Sequence, residues 1–512
     1  MKNSLKALYA IFLCAAIGAC SFFFLHPAQG SFSALSLHGI MNTIPNSPSR
    51  VNAYADRTIA LFDEETQKFL SVRPGDRTFA NTVQHWDQIG KMLVHRMIVL
   101  KSLSIINASE DTLKAADLAF ERIQDHLNTK MSSSPQIPMT LIAFLEDAPT
   151  CGKISPSEWL YVHQLADSLN SDWFPQPYKK KIDDLKRAIA SFERVDFSYK
   201  AGEIPSKKLL KDNPSCTILN FNVCFLPGSL PLLFGGMTPW EMRVDKVAAR
   251  ILEIDADIIC LEEVFVEEAA ERLYAELKNR YSHFYMNIGP RNFGFSQESA
   301  GLGSGLFVAS KLKIDNPKFL LFTKTNYHVN RGCFDFSINQ DDKEFAHVYT
   351  THLEAFSVPP GPEFRKLQLE EILADMAVSS AKYGDTSAIV LCGDLNIPWN
   401  SKEPAELVLQ QHFSDPLHKS CRNLTMANRT YVDFTDLWWK AKLNTHHFSP
   451  TPEILDYAIL LNKLPSSQAN YPASDQFRIV TAVIPMNEIN NALEALSDHH
   501  AEISLIQRVP KK

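Results

Sequence analysis

The chain has 512 residues and a formal net charge of −7, and nowhere does it contain a dense run of lysine or arginine. Proteins that hold nucleic acid neutralise phosphates with clustered basic side chains, so this lack argues against a nucleic-acid partner. Zinc spacing is missing too, with no Cys-x-x-Cys and no His-Glu-x-x-His. Gly303-Ser304-Gly305 lacks the Gly-x-Ser-x-Gly spacing of a nucleophile elbow and reads as a tight glycine turn before a strand. No period of 20 to 50 residues recurs, which excludes a solenoid. Of nine cysteines, Cys14 and Cys20 fall in the leader. The others (Cys151, Cys216, Cys224, Cys260, Cys333, Cys392 and Cys421) are odd in number and scattered. That pattern predicts buried thiols and not a disulfide framework.

What the sequence does have is ordinary globular stock: 45% apolar and 21% charged residues. Its length asks for two or three domains. Lys2 and Lys6 precede an uncharged run from Leu8 to Leu25, so residues 1–30 read as a signal peptide or membrane anchor. Ile17-Gly18-Ala19-Cys20 has lipobox form, Ala28-Gln29-Gly30 offers a signal-peptidase site, and the run is also long enough to stay as an anchor. In each case the protein is expected to be exported, either secreted or membrane-attached. Residues 31–52, rich in Ser, Asn and Pro, read as a tether.

Residues 53–198 are expected to form an all-α domain. Leu93, Met97 and Leu100, and then Leu113, Ala116, Ala119, Ile123 and Leu127, recur at helical spacing, and Ser109-Glu110-Asp111 is a helix start. RTFANTVQHWDQIG with LKAADLAFERIQDHL resembles the helical N-terminal region of thimet-type oligopeptidases. The metal motif of those enzymes is absent, so the expected role is a scaffold or the binding of a protein partner.

From 215 to 508 the texture changes to short apolar runs alternating with amphipathic segments. Strands are predicted at 217–223, 257–262, 284–288, 304–310, 318–323, 333–338, 345–352, 388–393, 455–461 and 501–507, and helices at 240–254, 266–279 and 364–381. This is an α/β domain with mixed sheets. Polar residues stand at the ends of these strands: Asn222, Glu263, Thr351-His352, Gly393-Asp394-Leu395-Asn396, Asp456 and Ser497-Asp498-His499. Singly each has a plain explanation, since a lone Asn is ordinarily a turn residue and a Glu before a helix complements its dipole.

As an ordered set, they resemble the endonuclease/exonuclease/phosphatase superfamily. The resemblance implies a deoxyribonuclease-I-like fold over 215–508, in which two mixed β-sheets pack as a sandwich flanked by helices. NVCFLP, LEEVF, GLGSGLFVASK, THLEA, VLCGDLN, ILDYAIL and LSDHHAEISL are most similar to segments of neutral sphingomyelinases. Apurinic-site endonucleases commonly have Lys after the Glu segment, where Val264-Phe265 stands. Inositol 5-phosphatases carry a Trp before their Gly-Asp-x-Asn segment and a Trp-x-Asp-Arg segment later, where Leu391-Cys392 and Ile454-Leu455-Asp456-Tyr457 stand.

The resemblance implies a metal-dependent phosphodiesterase acting on sphingomyelin or a related phospholipid, with Mg²⁺ or Mn²⁺ as cofactor. It implies Glu263, Asn222 and Asp498 as metal ligands, His499 as general base, and Asp456 as the residue orienting it. Asp394 and Asn396 would position water and phosphate, His352 would donate to a phosphoryl oxygen, and Arg331 would contact the phosphate. Glu262 occupies a place where many members have Gln. Another hydrolase of the same fold (a nuclease or phosphoinositide phosphatase) and a non-enzymatic binding protein are the alternatives. The loop 225–240 is rich in apolar residues, from Phe225 and Leu226 to Met237 and Trp240. It is expected to meet a membrane surface, to pack on its own core, or to be covered by the helical domain. Phe293 and Phe295 in 289–300 are a second candidate for membrane contact.

Overall fold

The computed structural model describes residues 45–509 except 104–108, 148–157, 160–161, 164–177, 191–195, 211–213, 228–236, 291–301, 326–328, 341–342, 356–358, 384–385, 400, 414–453, 465–470, 472–475 and 487–494. The expected leader, most of the tether, Cys151, Cys421, the tip of the apolar loop, and Phe293 and Phe295 lie outside the described residues.

Helices α1 (Pro48–Ser71), α2 (His85–Ser102), α3 (Glu110–Ser133), α4 (Gln136–Asp147) and α5 (Tyr178–Ala190) come first. Proline suits the first turn of a helix, so α1 already begins inside the expected tether. Ser109 caps α3, its Oγ accepting from the backbone N of Thr112 at 3.3 Å. Ala116, Ala119, Ile123 and Leu127 form one buried stripe of α3, packed in a core that includes Phe62, Phe69 and Leu93.

Two mixed sheets follow. One has the order β1 (Ser198–Ala201), β4 (His283–Met286), β5 (Phe307–Ser310), β3 (Ile258–Val264), β2 (Ser215–Phe225), β12 (Ala501–Arg508), β11 (Phe477–Ile484). The other has the order β10 (Asp456–Leu460), β9 (Ala388–Asp394), β8 (Lys343–His352), β7 (Gly332–Gln340), β6 (Ile314–Leu321). Two pairs are parallel, β2 with β3 and β8 with β9, each joined by a crossover helix, α6 (Val244–Ile254) and α8 (Gly361–Tyr383). Parallel strands covered on both faces read as unbroken apolar runs, as Ile258–Leu261 and Ala388–Cys392 do. The main core lies between the sheets. A second core lies between the first sheet and helices α6 and α7 (Glu267–Leu277). Alternation along β2 serves both, since Cys216 and Ile218 join the first and Leu219, Phe221 and Val223 the second. α6 presents Val244, Val247, Ala248 and Ile251 to it at the 3–4 spacing of one helical face.

Three elements have no counterpart in the sequence reading: β1, β11 and helix α9 (Pro404–His412). β1 has only four residues, and β11 is an edge strand with alternate residues exposed. β6 starts earlier than expected because Asn316, at φ 52°, and Pro317 sit in a register shift between Asp315 and Lys318. The expected helix 240–254 opens with a tight 3-10 turn, Trp240–Met242, before α6.

Candidate active site

The central strands deliver polar side chains to one rim of the sandwich. β2 carries Asn222, β3 carries Glu263 next to its end, β8 finishes on His352 and β9 on Asp394. The register places His352 opposite Asp394, and Asp394 opposite Asp456, the first residue of β10. The turn before β12 supplies Ser497, Asp498 and His499. Backbone strain collects here: Cys224 (φ 50°), Glu263 (φ 60°) and Asn396 (φ 51°) all lie in the left-handed region. Gly393 has φ 140°, and a Cβ there would stand 1.8 Å from the carbonyl oxygen of Thr351. Only glycine lets β9 end so close to β8.

Asp394 is the hub of the contacts. Asn222 Nδ2 donates to its Oδ2 at 2.9 Å and to Glu263 Oε1 at 3.2 Å, while Asn222 Oδ1 accepts from the backbone N of Cys224 at 3.1 Å. The backbone N of Asn396 donates to Asp394 Oδ1 at 2.9 Å, and Asn396 Nδ2 donates to Leu353 O at 3.2 Å. His352 Nε2 lies 3.5 Å from Asp394 Oδ2 and 3.9 Å from Glu263 Oε1. His499 Nδ1 bonds Asp456 Oδ2 at 2.8 Å and turns Nε2 toward Asp394 Oδ2, 3.7 Å away. Ser497 Oγ donates to the carbonyl of Asn222 at 2.6 Å and lies 3.2 Å from Asp498 Oδ1, tying that turn to β2.

The rim is therefore a convergence of Asn222, Glu263, His352, Asp394, Asn396, Asp456, Asp498 and His499. Arg331 sits behind it, buried, with Nη1 donating to His352 O at 3.1 Å and Nε 3.7 Å from Glu354 Oε2.

Two imidazoles are held in opposite states. Burial alone would push His499 down, but Asp456, Asp394 and Asp498 outweigh it and raise it to about 10. Burial drives His352 well below the ordinary value, and the cationic Arg331 and His499 add to that. So with no cation bound His499 holds a proton while His352 is neutral, and positive charge placed among the carboxyls would loosen the His499 proton. Burial, with Asp498 beside it, lifts Glu263 to about 7. Burial lifts Asp394 to about 6 against the pull of His499, with Asp456 adding to the rise.

Two donor sets could hold a cation. Ligand atoms of Asp394, Asp456 and His499 lie within 4.8 Å of one another, but the histidine already spends Nδ1 on Asp456. Glu263, Asp498 and the Asn222 amide form a set of oxygen donors, the kind a hard divalent cation prefers. Among the described residues no lysine or arginine forms an ion pair with Glu263, Asp394 or Asp498, leaving these carboxyls to crowd one another. The Asn222 amide now offers N–H between two of them, where a positive charge is favoured. The residues present thus fit a divalent cation.

The sequence reading missed Arg243. Its buried guanidinium donates to the carbonyls of Thr238, Val223, Leu496 and Cys224, clamping the end of β2 to the segment that leads into Ser497. Nothing in the pattern at the head of an amphipathic helix signals that role. Within the apolar loop, Phe225 and Trp240 belong to the core under α6, Met237 is fully buried, and Leu226 packs against the helical core. The described part of that loop faces inward.

The model of the Endonuclease/Exonuclease/phosphatase family matches residues 219–499, a span that holds every residue of this rim. Sphingomyelinase C of Bacillus cereus is 24% identical over 280 residues, 51% of this chain and 79% of the relative. Sphingomyelin phosphodiesterase 5 of Danio rerio is 22% identical over 310 residues, 56% of this chain and 50% of the relative. Among solved structures, sphingomyelinase C from Streptomyces griseocarneus shares 19% identity with a TM-score of 0.39, covering 57% of this chain and 99% of that one.

Proposed function

The chain belongs to the endonuclease/exonuclease/phosphatase family, whose match spans more than half of it, and from that premise we propose that it hydrolyses sphingomyelin or a related phospholipid. The products would be ceramide and phosphocholine. The sphingomyelinases among its relatives support a phosphoric diester hydrolase, and support a lipid substrate over nucleic acid. The observation that carries the reading is the unbroken chain of contacts from Glu263 through Asn222 and Asp394 to His499 and Asp456.

In this reading His499, which its acidic neighbours keep protonated until a cation beside Asp498 offsets them, acts as the neutral imidazole that takes a proton from the attacking water. Asp456 holds it by Nδ1 and stabilises the imidazolium. Asp394 and Asn396 orient water and phosphate. His352, kept neutral, donates to a phosphoryl oxygen, and Arg331 lends positive charge from behind it. Glu263, Asp498 and Asn222 would hold Mg²⁺ or Mn²⁺, which when bound neutralises phosphoryl charge and the leaving alkoxide. Water adds to phosphorus as the ester oxygen departs and takes up a proton from solvent to become the ceramide hydroxyl, so no covalent enzyme intermediate is needed.

The helical region is assigned a scaffold or partner-binding role. The uncharged run Leu8–Leu25 supports export, as a secreted or membrane-attached protein. The tip of loop 225–240, with Leu232 and Phe234, is assigned to the bilayer surface.

The test is a substrate panel at saturating Mg²⁺: sphingomyelin vesicles, phosphatidylcholine vesicles, phosphoinositides and plasmid DNA. Phosphocholine release fastest from sphingomyelin supports the reading. Cleavage of DNA alone, or of phosphoinositides alone, overturns it.

A further inference from the structure

Beneath the rim, between the sheets, lies a polar layer that the reaction does not use. Strand alternation puts it there. On β2, Cys216 and Ile218 face the second sheet, so Asn220 does too. By the same parity Glu262 follows Ile258 and Cys260 on β3, and Glu502 shares the face of Ile506 on β12. Asn220 stands opposite Glu502 on one side and Cys260 on the other, and Asn222 stands opposite Glu262. Burial raises the carboxyls of Glu262 and Glu502, and Asp456 on the facing sheet is near enough to raise both further.

Asn220 is 1% exposed, Glu262 0% and Glu502 6%. Yet Nδ2 and Oδ1 of Asn220, both Oε atoms of Glu262, and Oε2 of Glu502 have no hydrogen-bond partner among the described residues. A buried polar group left unpartnered costs about 1–3 kcal/mol, so such groups side by side would weaken the fold severely if dry. Proteins resolve this with internal water, each molecule making about three hydrogen bonds. Asp456 bonds His499 through Oδ2, and a carboxylate has lone pairs for several donors. Water on its inner side therefore adds to the His499 bond without competing for it.

We propose that Asn220, Glu262 and Glu502 enclose a cluster of bound water between the two sheets, and that this water braces Asp456 from behind, making Glu502 a positioning residue for the His499–Asp456 pair. The positioning role rests on the proposed hydrolysis; the water site does not. Replacing Glu502 with leucine fills the recess with apolar volume, which leaves stability unchanged or raises it. It also removes the brace.

The test pairs a high-resolution crystal structure of the full chain with steady-state kinetics and thermal unfolding of Glu502→Leu and Glu502→Gln. Ordered solvent within hydrogen-bond distance of Asn220 and Glu262 is expected. So is a kcat for Glu502→Leu lowered by about tenfold with KM and melting temperature retained, and largely restored in Glu502→Gln. Density in which the three side chains bond one another with no solvent overturns the water site. A wild-type kcat in Glu502→Leu, or a loss of turnover matched by a loss of folded stability, overturns the positioning role. A wild-type protein inert toward every phosphodiester would strike at the proposed hydrolysis, while the density would still decide the water site.

Discussion

The chemistry rests on crowded carboxyls, of which Glu263, Asp394 and Asp498 form no ion pair with a lysine or arginine among the described residues. Glu263, raised to about 7 by burial and by Asp498, shows the effect most directly. A raised carboxyl keeps its proton up to that pH, and a cation binding there must displace it. Mg²⁺ affinity measured by calorimetry is therefore expected to be flat above pH 7 and to fall by about tenfold per pH unit below it. Constant affinity from pH 8 to pH 5.5 would remove Glu263 from the ligand set. His499 behaves in the opposite sense, since its three acidic neighbours hold its proton to about 10. Added positive charge near Asp498 opposes them, so Mg²⁺ should lower the His499 titration seen by NMR. His499→Ala is expected to reduce turnover roughly a thousandfold while the cooperative unfolding transition persists.

The elements decide which of these residues can meet. Strands β2, β3, β8 and β9 were legible because parallel, doubly buried strands are apolar throughout, and a polar residue at their ends stands out. Neither the pairing His352 opposite Asp394 nor the pairing Asp394 opposite Asp456 could be read from the chain, because register is set by partners distant in sequence. β11 was missed although FRIVTAVI is an apolar, β-branched run, since at the edge of its sheet it carries no polar site residue to draw notice. Arg243 gave no sign because its hydrogen bonds go to backbone carbonyls. Gly393 is where an element's geometry is most exposed to mutation. Gly393→Ala is expected to destabilise the domain by more than about 3 kcal/mol in denaturant unfolding, from a backbone clash at Thr351 and a φ that alanine disfavours. A small loss would mean β9 can shift away from β8 freely.

On the scale of the whole molecule, charges outside the rim add to how stability follows pH. Under α8, His347 Nε2 bonds Asp335 Oδ1 at 2.8 Å and its Nδ1 meets Glu344 Oε2 at 3.2 Å. Burial would lower His347, but these two carboxyls raise it to about 9 from 6.5. Burial also raises Asp335, so the pair's energy is not symmetrical; the direction for His347 follows from two close acidic partners. A group raised on folding stabilises fully below its unfolded value and loses that contribution as pH climbs through the folded one. Melting temperature is thus expected to fall between pH 6.5 and 9 in the wild type and to fall less in His347→Phe. Equal slopes would show that His347 is uncharged when folded.

Oxygen donors from distant strands are proposed to share one cation at the ester being cleaved. The most direct measurement is phosphocholine release from sphingomyelin vesicles with Mg²⁺, with the metal chelated, and with Glu263→Ala in Mg²⁺. Release by the wild type in Mg²⁺, lost on chelation and by at least about a thousandfold in the variant, is the predicted result. Release that survives chelation, or a variant as active as the wild type, would contradict it.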